Sequence, residues 1–186
     1  MILIAKEKKY CRVYSSLLSP KINDDNVINL DHHMIKPLPH RHGFFAVNGH
    51  KRDFDLISHF IPMDTALTYA SIINDYKPKM VQLLKEHART QKTPLFESDF
   101  YFAEHDQAFV LTTKGIVRPL PEVYFRSFTD LALAEFHNNE EAPLDTKIQR
   151  LLDRYCLMNE YPKEMFLGYH PHTQTIEKKW GEFHGH

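Results

Sequence analysis

The chain has 186 residues, of which 42% are apolar and 25% charged, enough to bury one domain-sized core. Its 23 basic and 24 acidic residues nearly cancel, which excludes the global positive excess that steers proteins to nucleic acid or acidic membranes. Cys11 and Cys156 are its two cysteines and exclude a disulfide framework, while no run approaches the length of a membrane span, so a cytoplasmic protein is expected, with signal-less export left open.

Ile2 to Ala5 and Cys11 to Leu18 are β-rich runs around the charged turn Lys6-Glu7-Lys8-Lys9, an opening hairpin. Ser19 to Asn26 reads as a loop and Val27 to Leu30 as a short strand. Pro37 and Pro39 exclude regular helix from Lys36 to Gly43, and Gly43 to Val47 reads as a strand closed by Asn48-Gly49. Asp64 is placed to cap a helix from Thr65 to Tyr76. A second helix opens at Pro78 and runs to about Thr90, with His87 at the edge of its apolar face.

Phe100 to Glu104, Ala108 to Thr113 and Ile116 to Leu120 predict a three-stranded antiparallel meander. The stretch from Glu122 to His137 is read as a helix, apolar around most of its circumference. Leu144, Ile148, Leu151, Leu152 and Tyr155 then mark the buried stripe of a helix from Leu144 to about Glu160. Met165 to Tyr169 predicts a last strand before a polar tail. The expected fold is a single α+β domain over 1–186, a mainly antiparallel sheet packed against about four helices, with a His/Pro-rich loop region at 31–59.

Thirteen histidines are well above ordinary usage. They include the pairs His40/His42, His170/His172 and His184/His186; in extended chain, residues two apart share a face. His40 and His42 with Asp53 or Asp55 could therefore form an open site in which zinc or manganese activates water. Two short runs resemble known phosphoesterase motifs without completing them. Asp31-His32-His33 is similar to a motif of the DHH-type enzymes but lacks its partner motif upstream. His170-Pro171-His172-Thr173 resembles the His-x-Thr element of the 2H type without its spacing.

No nucleophile or phosphate-loop signature names a reaction, and no catalytic residue is assigned. The aromatic content of 12% favours a protein-binding module of adaptor, inhibitor, immunity or effector type, contacting another protein or a second copy. Tyr124, Phe125 and Phe128 are its candidate contact residues, and no cofactor is expected. The alternatives are a metal-dependent hydrolase or nuclease at His40, His42, Asp53 and Asp55, and a nucleic-acid binder using Lys77, Lys79, Lys85, Arg89 and Lys92.

Overall fold

In the computed structural model, which describes residues 1–16, 30–60, 67–94 and 97–183, the opening hairpin forms as the sequence implies. Strands β1 (Ile2–Glu7) and β2 (Tyr10–Ser16) pair through the two-residue turn Lys8-Lys9, with Lys8 left-handed at φ 53°. The other strands are β3 (Ile35–Leu38), β4 (Gly43–Asn48), β5 (Asp99–Glu104), β6 (Gln107–Thr112), β7 (Val117–Pro119), β8 (Val123–Phe125), β9 (Lys163–His170) and β10 (Thr175–Glu182). The helices are α1 (Lys51–Phe60), α2 (Tyr69–Ser71), α3 (Lys77–Gln91), α4 (Thr129–Asn138) and α5 (Leu144–Met158). The loop expected at 19–26, most of the strand expected at 27–30, the cap Asp64 and the pair His184/His186 lie outside the described residues.

The expected single sheet is two. Five strands run in the order β10-β9-β2-β1-β8 and five in the order β3-β4-β5-β6-β7, all neighbours antiparallel. Side-chain alternation divides the core into three slabs. Ile2, Ile4, Cys11, Val13, Phe44, Ala46, Tyr101, Ala103 and Val110 fill the space between the sheets. Leu3, Ala5, Tyr14, Phe125 and Phe166 face α4 and α5. Phe45, Val47, Phe100, Phe102 and Leu111 face α1 and α3. The class is α+β as expected, built in four layers with helices outside both sheets. No helix among the described residues is long and apolar enough to cross a membrane.

The helix expected from Glu122 to His137 is corrected to a strand and a helix, β8 and α4, separated by Ser127 in the left-handed region at φ 71°. β8 pairs with β1, burying Val123 and Phe125. A strand covered on both faces carries the same continuous apolar run as a buried helix, which is the source of the misreading. The helices expected at 65–76 and 78–90 run together from Tyr69 to Gln91 through a π-turn at Ile72–Tyr76, where the N–H of Lys77 bonds the carbonyl of Ile72. Pro78 lacks the N–H that would continue the regular ladder there. The expected polar tail contains β10, and β3 accepts Pro37 because it is an edge strand.

The sandwich has two ends. The turn end carries Lys8-Lys9, His42, the β5–β6 turn and the β9–β10 turn; the opposite end carries Met1, Ser16, Asn48, Asp99 and Arg126.

Candidate functional site at the turn end of the sandwich

Histidines distant in sequence meet at the turn end because each occupies the tip or flank of a different connection. His42 follows the 3₁₀ turn Pro39–Arg41 in left-handed conformation at φ 48°, and His105, at φ 54°, opens the two-residue turn of the β5–β6 hairpin. Their rings lie 5.4 Å apart. Tyr10, from the other sheet, packs 6.0 Å from His42, 6.2 Å from His105 and 4.5 Å from His172. Three imidazoles thus gather about one phenol across the mouth between the sheets. The buried Nδ1 of His42 and Nε of the neighbouring Arg41 have no hydrogen-bond partner among the described residues.

His170, the other member of the His170/His172 pair, belongs to a separate network on the α5 side. Its Nε2 donates to Glu177 at 2.6 Å, and the Tyr14 hydroxyl donates to the same oxygen at 2.9 Å. Lys179 pairs with the second carboxylate oxygen at 3.1 Å. Burial alone would raise the pKa of Glu177, but the bonds from His170, Tyr14 and Lys179 pull it below the usual value. Burial pushes the Tyr14 phenol up. Gly168 makes room for that phenol, since a Cβ there would stand 2.4 Å from the Tyr14 ring. Arg12 bridges Glu7 and Asp145 at 2.6 Å each, tying the first turn of α5 to this network. Such a carboxylate–imidazole pair can hold or relay a proton.

At the opposite end, Arg126 bonds Asp99 at 2.9 Å and the hydroxyls of Tyr101 and Tyr124 meet at 3.1 Å. Burial, then Arg126, lowers the amino group of Met1 to about 6, and burial raises Glu164. Burial also lowers His33, against the opposing effect of its 2.9 Å bond to the Ser15 carbonyl.

The expected metal constellation is not brought together. His42 precedes β4 and Asp53 follows it, and six extended residues separate the two ends by about 20 Å. Asp53 is buried, accepting from Ser98 Oγ at 2.7 Å and lying 3.4 Å from Arg52, while Asp55 pairs with Lys51. His40 is exposed on the 3₁₀ turn. Among the described residues no group of three or more His, Cys, Asp or Glu is arranged to hold a metal ion.

Of the aromatic contact candidates, Phe125 is corrected to a core residue at 0% exposure, because β8 is sealed between β1 and the helices. Tyr124 and Phe128 are half-buried, the latter packed on Phe125 and Tyr155. Lys79, Lys85 and Arg89 lie exposed on α3, Lys77 is half-buried at its start, and Lys92 caps its end. Tyr10 and His105 were missed as site residues. In sequence they are ordinary turn-flanking residues, and only the stacking of one sheet on the other makes them neighbours.

No family model matches the chain, and no curated protein matches it in sequence. Solved structures do resemble it. BPH from Thiobacillus denitrificans, in complex with epoxomicin, matches with a TM-score of 0.60 at 14% identity over 99% of both chains. Anbu from Yersinia bercovieri, titled an ancestral beta-subunit, matches with a TM-score of 0.58 at 10% identity, covering 95% of this chain and 86% of that one. Anbu from Hyphomicrobium sp. strain MC1 gives 0.53 at 11% identity, over 97% and 87%. At these identities the likeness is one of fold: the four-layer α+β sandwich of this chain is that of BPH and Anbu.

Proposed function

We propose that this protein works as a subunit of a homo-oligomeric assembly, acting through protein–protein contact. The observation that carries this reading is the end-to-end correspondence with a chain titled a beta-subunit, 95% of this chain against 86% of that one. Apolar surface suited to such a contact stands at the far end of α5, where Leu157 is 51%, Met158 42% and Tyr161 44% exposed. Exposed aliphatic and aromatic side chains grouped in this way favour burial against another chain.

The test is the mass of the untagged protein by light scattering after size exclusion, from about 1 to about 100 µM. The expected result is a multiple of the 22.0 kDa chain mass. The double variant Leu157→Asp/Met158→Asp should shift the species toward monomer while leaving the circular dichroism unchanged. A wild type that stays monomeric throughout the range overturns the proposal.

A further inference from the structure

A cleft of about 510 Å³ opens at the turn end where β6 starts and β7 ends, lined by Lys6, Tyr69, Gln107, Phe109, Pro119 and Leu120. Its walls are mostly apolar, with the Tyr69 and Phe109 rings 5.9 Å apart on one side and Leu120 on the other. Lys6 brings a cation to its rim. The nearby carboxylates are engaged elsewhere: Glu7 holds Arg12 at 2.6 Å, Glu122 lies 3.3 Å from His137, and Glu104 accepts the N–H of Leu67 at 2.6 Å beside Arg41. Asp106, on the adjacent turn, is exposed; like Lys6 it acts on the Cys11 thiol, but no ion pair within 4.0 Å joins the two. Among the described residues the Lys6 ammonium has no ionic partner.

We propose that this cleft binds the C-terminal residue of a peptide ending in an apolar side chain. The terminal carboxylate lies on the Lys6 ammonium, and the side chain lies against Tyr69, Phe109 and Leu120. A wholly apolar ligand would strip water from Lys6 without replacing it, which is unfavourable. A doubly charged phosphate would find one cation and the Gln107 amide, too few donors for its charge. A single carboxylate matches the point charge of one lysine. The cleft is open to solvent, so the rest of the peptide can leave it. This inference is independent of the assembly reading above.

Fluorescence anisotropy with a labelled peptide ending in a leucine carboxylate tests it on the intact protein, with the same peptide C-terminally amidated as the first control. Binding should weaken about tenfold on amidation and by a similar factor in Lys6→Gln, the size expected for losing one charge-assisted contact. Tyr69→Ala, at an exposed side chain, should also weaken it and serves if Lys6→Gln fails to fold. Equal affinity for acid and amide, or undiminished binding by both variants, overturns the proposal. Displacement of the peptide by free 4-methylpentanoate at comparable concentrations would reassign the cleft to small apolar acids and overturn the peptide as its ligand.

Discussion

Gln149 on α5 donates its side-chain amide to the backbone carbonyl of Trp180 at 2.6 Å, on the outer edge of β10. One turn later Asp153, bonded to the same amide at 3.0 Å, accepts the backbone N–H of Glu182 at 2.9 Å. Two helical side chains thus occupy polar backbone groups that an edge strand would otherwise offer to a neighbouring chain. Gln149→Leu combined with Asp153→Ala should expose that edge. The expected outcome is a fall in stability of about 1 kcal/mol for each lost bond and growth of scattering species on heating. Unchanged light scattering and melting temperature would refute the capping role.

Leu151 is fully buried between α5 and the first sheet, with Ile148, Leu152 and Cys156 on the same face. Leu151→Ala should cost about 2–5 kcal/mol, read from the denaturant midpoint. A shift well below that range would mean the slab collapses around the deletion.

Phe125→Asp places an unpaired carboxylate in the slab facing α4 and α5, at a position with 0% exposure. It should unfold or aggregate the protein. Tyr124→Phe, which removes the 3.1 Å hydroxyl contact with Tyr101, should leave the protein folded and lower its stability by about 1 kcal/mol. Circular dichroism separates the two, and a folded Asp variant would contradict the burial of β8.

Burial lowers the pKa of His33 below its unfolded value of 6.5, so the unfolded chain takes up its proton first. Stability from this residue is complete above about pH 6.5 and declines as the pH falls below it toward the folded value. His33→Gln, which can still donate to the Ser15 carbonyl, should show a shallower loss of stability between about pH 6.5 and 5 than the wild type. Equal slopes in urea titrations across that interval would remove His33 from the acid response.

The opening hairpin, β4, the meander and α5 were legible because each has a local signal: charged two-residue turns, β-rich runs, or one clean helical stripe. β8 was not, since Val123, Tyr124 and Phe125 are covered on both sides and lose the alternation that marks a half-exposed strand. β10 was hidden for the opposite reason: Glu177, Lys178 and Lys179 reflect an edge position that strand propensities penalise. The candidate site was half legible. His42, His170 and His172 were singled out, but the pairings were misassigned. His170 and His172 stand two apart and serve different clusters, while His42 meets His105 through the pairing of β4 with β5 and meets Tyr10 through the packing of two sheets. Spacing in sequence carries no information about which sheet will lie opposite.

The burial of central strands on both faces shifts what guards their alignment. In β5, a slip by one residue would exchange Phe100 and Phe102 for Tyr101 and Ala103, one greasy pair for another, and would bring a charge inward only at the strand's ends, Asp99 or Glu104 according to the direction. Polarity, the usual proofreader of strand pairing, therefore speaks only at those two ends and is silent along the middle of the strand. The task falls to girth, phenylalanine against alanine, and to the two-residue turns at Lys8-Lys9 and His105-Asp106. A single residue inserted into either turn, though it would sit at the surface, is expected to be more disruptive than many substitutions inside the core.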